Sequence, residues 1–302
     1  LSKQIQGLKL SMYTLSLCNI CPHKCGVDRV STLGFCQAPA QLKVNLSQLH
    51  FGEEPFLVGK TGSGTIFFSH CNLHCCYCQN YKISAIGKGK EITETELIEI
   101  MFSLKEQGAV NINLVSPTPY SELLIPVLIK AKAMGLDLPI VWNTNSYETV
   151  DTLRQLEGLV DIYLADFRYW DNGNALRYSG INNYRQVASL AIKEMYRQTG
   201  SLKIDDDLAW MGTLIRILVL PNDTSGTSSI LEWISDNIGI DVKLSLMAQY
   251  YPVYKSKNYP ELNRTLRESE YNGAIATLER LGFTNYLLQE LNPSAEWTPD
   301  FK

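Results

Sequence analysis

Beyond Cys78 the chain has no cysteine: all eight lie within the first 78 of its 302 residues. That distribution excludes a disulfide-stapled secreted scaffold, a solution found in chains under about 100 residues with bridges throughout. Long hydrophobic runs are also missing. None approaches the ~20 residues needed to cross a bilayer, which excludes a membrane-spanning helix. A basic excess is absent too. Lys and Arg number 27 against 31 Asp and Glu, a net charge of -4, which argues against a non-specific nucleic-acid binder. The first 17 residues have the layout of neither a signal peptide nor a transit peptide. The expected setting is therefore a reducing cytoplasm. What is present is ordinary globular material, 45% hydrophobic and 19% charged, enough for one large domain or two smaller ones.

Thiols in a reducing compartment point to metal binding. Cys18, Cys21, Cys25 and Cys36 form a first group, in "CNICPHKCGVDRVSTLGFC". Four thiolates at such spacing suit one tetrahedral zinc or an iron–sulfur cube, and the spacing leaves both open. Pro22 after a cysteine leans to a cluster, and the Cys25-Gly26 step to a zinc knuckle. A structural metal site is the default reading. The second group, "SHCNLHCCYCQNYKIS", has Cys71-x3-Cys75-x2-Cys78. Three thiolates leave the fourth iron of a [4Fe–4S] cube without a protein ligand, the open position a catalytic site requires. Tyr77 can lay its ring beside whatever binds there. Cys76 breaks the spacing and reads as a small buried hydrophobe. His23, His70 and His74 flank the ligands as hydrogen-bonding neighbours. "GKTGSG" at 59–64 suggests a phosphate loop, but Glu54 stands where that loop needs glycine.

From Thr65 short apolar runs alternate with amphipathic ones. Strands are expected at 65–68, 111–115, 139–142, 161–164, 214–220 and 242–247, each apolar enough for burial on both faces of a parallel sheet. Helices are expected at 94–107, 121–134, 149–156, 184–199, 229–237 and 267–281. The first is opened by a Thr93/Glu96 capping box, with Leu97, Ile98, Met101 and Leu104 on one face. Six βα units at about 36 residues each make three-quarters of a TIM barrel. The expected fold is thus α/β, a partial (β/α)6 TIM-like barrel with a small N-terminal Cys-rich lobe. Its boundaries are 1–60 for the metal-binding lobe, 61–290 for the barrel and 291–302 for a tail. Catalytic groups belong at the C-terminal strand ends, and the first such end delivers Cys71. "HFGEEP" joins the two cysteine groups, so His50, Glu53 and Glu54 read either as a rim of the substrate cleft or as a polar turn.

C-x3-C-x2-C after a first strand, with an aromatic before the third cysteine, resembles the radical S-adenosylmethionine (SAM) superfamily. "HFGEEP", "GSGTIFFSHCNLHCCYCQNY", "VDIYLADFRY", "LIRILVLP", "QYYPVYK" and "CPHKCGVDR…GFC" are similar to an incompletely characterised branch related to pyruvate formate-lyase activating enzymes. The resemblance runs from about Cys18 to Tyr286 and implies an oxidoreductase. An open iron of a [4Fe–4S] cluster at Cys71, Cys75 and Cys78 would chelate SAM. One electron would cleave SAM to methionine and a 5′-deoxyadenosyl radical that abstracts hydrogen from a substrate.

By position, the resemblance puts Ser116 and Thr118 at the SAM amino group and Asn143 and Asn145 near the ribose. Asp166, Arg168 and Arg216 fall at the carboxylate, where the Arg216 fork could bind bidentately. The chain departs from its relatives in three places: "SPTPY" replaces a Gly-rich turn, Arg168 a lysine, and Ile217 a frequent histidine. Implied partners are a protein or peptide substrate, including a glycyl-radical protein, and a flavodoxin or ferredoxin as reductant. The alternatives are a small-molecule substrate or a non-enzymatic iron–sulfur or zinc protein.

Overall fold

The computed structural model describes residues 17–292 and 299–301. Residues 293–298 and 302 of the expected tail lie outside the described residues. In chain order the elements are β1 (Leu42–His50), α1 (Pro55–Val58), β2 (Ser63–Phe68), α2 (Tyr81–Ser84), β3 (Lys90–Ile92), α3 (Glu94–Glu106), β4 (Ile112–Val115), α4 (Ser121–Ala133), β5 (Ile140–Thr144) and α5 (Val150–Gln155). They continue as β6 (Ile162–Asp166), α6 (Asn172–Ser179), α7 (Tyr184–Thr199), β7 (Lys203–Asp205), β8 (Leu208–Leu218), α8 (Thr227–Asn237), β9 (Lys243–Met247), α9 (Glu268–Arg280) and β10 (Tyr286–Leu288).

The sheet order is β10-β9-β8-β6-β5-β4-β2-β1-β3. From β2 to β10 every pairing along this path is parallel. The six anticipated strands form its centre, and a mostly parallel sheet wrapped by helices fits a partial barrel. The sequence reading did not include β1, which pairs antiparallel with β2 and β3. Its polar residues Lys43, Asn45, Ser47 and Gln48 hide it among loops, and it makes 42–50 part of the sheet. The strand expected at 214–220 instead spans Leu208–Leu218, because β7 and β8 form a hairpin. Asp206 and Asp207 turn it with φ of 46° and 64°, the left-handed pair that a two-residue type I′ turn demands. Arg216, which the expected strand at 214–220 puts near its start, therefore lies near the C-terminal end of the observed strand.

The side-chain period of two sorts each strand into two faces. On β6, Tyr163 and Ala165 join the main core beneath the helices, whereas Ile162 and Leu164 point into the barrel. The Thr93 side chain and Glu96 form the expected capping box of α3, which buries Leu97, Ile98, Met101 and Leu104. Inside the barrel, Phe56 and Leu57 of α1 pack on Val141, Ile162, Leu164 and Leu214. "HFGEEP" contributes His50, Gly52 and Glu53 to the wall of the cavity at the strand ends, as the rim reading expected. Pro55 starts a one-turn helix that plugs the barrel floor, and it sets Glu53 and Glu54 directly above the plug.

A buried-edge ion pair ties the loops beyond β8 to α9. Glu270 accepts from Arg264 at 2.6 and 2.8 Å, and from the Asn222 and Arg267 amides at 2.7 and 2.9 Å. The Arg264 guanidinium foremost, with these amides, holds the carboxyl down to about 2. Because this folded-state value lies below the ordinary carboxylate value near 4.3, its contribution is present above that pH and is lost as pH falls toward 2. Glu270→Gln should lower stability at pH 7, and urea titrations should show the difference from wild type shrinking between about pH 4 and 2.

Candidate active site at the C-terminal strand ends

Cys71 follows β2 by three residues. His70 precedes it in a left-handed conformation (φ 70°), its amide bonded to the Ile83 carbonyl at 2.8 Å. Such a backbone is strained for histidine and persists when its surroundings fix it. Gly87 does so: a Cβ there would overlap the His70 ring. The loop brings Cys71, Cys75 and Cys78 to the wall of one cavity at the strand ends.

Each thiol has its own donor. Asn145 Nδ2 approaches Cys71 Sγ at 3.4 Å, Ser179 Oγ lies 3.1 Å from Cys75 Sγ, and Ser84 Oγ lies 3.1 Å from Cys78 Sγ. Burial foremost, and then the neighbouring Cys75 sulfur, push the Cys71 thiol up to about 12 and the Cys78 thiol up to about 11. Among the described residues no three His, Cys, Asp or Glu side chains converge as ligands of one metal ion. A cube does not require that convergence, since its three thiolates bind three different irons. Three thiols, those of Cys71 and Cys75 buried and that of Cys78 partly so, each opposite a hydroxyl or amide and facing a common cavity, fit such a group. Cys76 is only 4% exposed in the main core, its N–H bonded to the Tyr178 carbonyl, and does not line the cavity.

Seven of the eight residues expected around SAM line this cavity: Tyr77, Ser116, Asn143, Asn145, Asp166, Arg168 and Arg216. Thr118 does not. Its hydroxyl turns away to Glu148 Oε1 at 2.6 Å, alongside donors from Thr144 and the Trp142 indole. Ser116 bends the chain with φ of 56° and donates its amide to the Asn143 carbonyl. Tyr77 is buried, its ring edge-on to Tyr169 and Tyr250.

Arg216 is already spent. Its Nε meets Asp166 at 2.8 Å, one Nη meets Glu53 at 2.9 Å, and the other meets Asn143 at 2.6 Å. The fork expected to take a bound carboxylate instead ties three strand ends to the plug, with Glu53 also accepting from Asn113 and Asn143. Asn143 and Asn145 are likewise engaged by protein partners, Asn145 with Cys71, Asn72 and the Tyr147 amide. Arg168 differs. One Nη pairs with Asp166 at 2.6 Å, but its Nε is buried with no partner. It is the cation of the cavity with donor capacity left over.

Ser84 and Ser179 were not anticipated. Ser84 lies six residues past Cys78, where proximity was a usable signal. Ser179 is 104 residues from Cys75 and carries no local signature.

The first cysteine group packs against this site. Arg29, 4% exposed, donates to the carbonyls of Ala38, Pro39 and Pro119, and Thr152 donates to the Ile20 carbonyl. The Gly26 amide bonds the Cys18 carbonyl, while the Phe35 amide reaches Cys25 Sγ at 3.4 Å and the amides of His23 and Ala38 point at the Cys21 and Cys36 sulfurs.

Residues 65–231 match the model of the radical SAM superfamily. The chain is 35% identical over 273 residues to the uncharacterized protein MJ0674 of Methanocaldococcus jannaschii, covering 87% of this chain and 74% of that one. Its fold is similar to the FeFe-hydrogenase maturase HydG of Carboxydothermus hydrogenoformans (TM-score 0.50, 15% identity, 74% of this chain and 52% of that). It is also similar to Streptococcus suis SuiB, solved bound to S-adenosylmethionine (TM-score 0.51, 13% identity, 73% and 48%). The chain spans about half the length of these two structures. The strand-end thiols and the match across more than half the sequence agree: this chain belongs to the radical SAM superfamily.

Proposed function

We propose that Cys71, Cys75 and Cys78 hold a [4Fe–4S] cluster at which the chain cleaves SAM to act on a peptide or protein, a glycyl-radical protein being one such substrate. The observation that carries the reading is the cavity wall: three thiols with separate hydrogen-bond partners share it with Arg168, which is paired to Asp166 through one Nη and keeps an unpartnered Nε. When bound, the cluster supplies the electron that breaks a sulfur–carbon bond of SAM, releasing the radical that abstracts hydrogen. The residues of this chain do the rest. Arg168 binds the SAM carboxylate while Asp166 holds one of its Nη atoms. The Ser116 turn borders the amino group, and Tyr77 flanks the bound molecule. The plug closes the barrel floor against water.

The lining also bears on the substrate. Among the described residues no lysine lines the cavity, its two arginines pair with carboxylates and Arg168 alone keeps an unpartnered donor, and Gln79, Asn80 and Gln249 add neutral amides. Such a wall suits a backbone amide better than a phosphorylated small molecule, which needs free cations. No described helix is long and apolar enough to cross a membrane. A cytoplasmic setting with a flavodoxin- or ferredoxin-type reductant completes the proposal. Arg168→Gln should raise the SAM Kd by about 10- to 100-fold, the scale of one charged hydrogen-bond pair, with little change in Tm. Equilibrium binding to the anaerobic, cluster-loaded protein measures it, and unchanged affinity would move the carboxylate elsewhere.

A further inference from the structure

We propose that the apolar pocket filled by Phe301 is a substrate subsite for an aromatic side chain of a peptide, and that residues 299–301 hold it until the peptide displaces them. The inference deepens the peptide reading of the cavity and rests on it.

Leu46 of β1, Phe67 of β2, Ile83 of α2 and Val115 of β4 make the pocket. Phe301 packs among them and is only 1% exposed, its ring edge-on to Phe67 at 5.4 Å and 71°. This cluster is separate from the main core beneath the helices and from the plug. Phe67, Ile83 and Val115 also line the cavity that holds the three thiols. Ile83 and Val115 each precede a serine of that cavity: Ser84, the partner of Cys78, and Ser116, which bends the chain. The pocket therefore belongs to the cavity wall.

From β10, at one edge of the sheet, the chain comes back toward the opposite edge to put Phe301 on β1, β2 and β4. Without that ring, Phe67, Ile83 and Val115 would form an apolar patch rimmed by Asn80, Ser84 and Ser116. An apolar patch with a polar rim is the pattern of a binding surface.

The hold on the present occupant is light. Among the described residues, the polar ties of 299–301 to the rest of the chain come from Lys82. Its Nζ lies 3.5 Å from the Phe301 carbonyl and 3.8 Å from the Asp300 carboxylate, which is exposed. The Phe301 amide bonds back to the Pro299 carbonyl, a three-residue turn that needs no neighbour. A segment held by one ring and one exposed ion pair yields to a competitor that offers the same groups.

Pro299, two residues before the ring, lines the cavity with the thiols. A peptide seated in the same way has its aromatic side chain in the pocket and an acidic neighbour beside Lys82. Its backbone two residues before the aromatic then lies in the cavity. The ligand class is thus a peptide with an acidic–aromatic pair, its register fixed by the aromatic anchor.

The test uses the full chain with its cluster reconstituted anaerobically, and fluorescein-labelled Pro-Asp-Phe amide as the probe. By fluorescence anisotropy Phe301→Ala should bind the probe at least about tenfold tighter than the wild type, whose own ring fills the pocket. A Pro-Asp-Ala probe should bind neither chain. Equal affinity of Phe301→Ala for the two probes, or equal affinity of the two chains for the first, would overturn the subsite. A purely structural Phe301 would lower stability on removal and create no binding site. Phe301→Leu answers for an alanine variant that fails to fold: it too should bind the probe more tightly than the wild type, and wild-type affinity would overturn the proposal. Binding requires no SAM cleavage. A chain that binds the probe but forms no 5′-deoxyadenosine loses the proposed function and keeps the pocket as a peptide site. One that forms 5′-deoxyadenosine but does not distinguish the probes keeps that function and loses the subsite.

Discussion

Cys75→Ala is expected to abolish 5′-deoxyadenosine formation, whereas Cys76→Ala, one residue away, should leave it measurable. Cys75 is one of three thiols on the cavity wall and is opposed by the Ser179 hydroxyl. Without it a cube would have two protein ligands, and the iron held there should be lost. Cys76 lies in the core, with its amide on the Tyr178 carbonyl and its carbonyl accepting from Lys255. Removing its sulfur creates a small cavity and should cost about 1–2 kcal/mol of stability, leaving the triad intact. Anaerobic iron assays and chromatographic quantification of 5′-deoxyadenosine distinguish the two variants. Equal loss of product in both would mean that the spacing argument chose the wrong cysteines.

Arg216→Ala should destabilise the fold more than any other single change at the site. The guanidinium is buried between Glu53 and Asp166 and also holds Asn143. Its removal leaves Glu53 with no cationic partner and Asp166 with Arg168 alone. Breaking a buried pair by removing one partner costs about 3–5 kcal/mol, because the remaining charge is stranded away from water. Arg216→Lys should recover only part of this, since one ammonium cannot reach three separate acceptors as a planar fork does. Urea denaturation of the cluster-free protein measures both. A loss below about 1 kcal/mol for Arg216→Ala would contradict the structural role assigned here in place of ligand binding.

The two arginines show what was legible in the sequence and what was not. Arg168 could be placed past a strand end from the apolar run before it, whereas Arg216 read as near the start of a strand at 214–220 and reaches the strand end only because β8 begins at Leu208; both line the cavity. Which one is free depended on Glu53, 163 residues from Arg216, and nothing local announces that the "HFGEEP" segment enters the barrel. The same holds for the strands. The six central ones are apolar on both faces and stand out as continuous runs, while β1 alternates polar residues at the sheet's antiparallel edge and β10 has three residues. Short-range signals were readable throughout: the Thr93/Glu96 box, the Cys71-x3-Cys75-x2-Cys78 spacing, and the isolation of Cys76. Long-range pairings were not, including Ser179 with Cys75 and Thr118 with Glu148. Thr118 was misassigned because two residues after a strand suffice for the 118–120 turn to swing its hydroxyl away from the cavity.

The most direct test of the central claim is the product assay on the wild-type chain. The protein is loaded anaerobically with iron and sulfide, reduced with dithionite and mixed with SAM. The account predicts 5′-deoxyadenosine and methionine in equal amounts, dependent on Cys71, Cys75 and Cys78. A fully loaded, reducible cluster that yields neither product would contradict it.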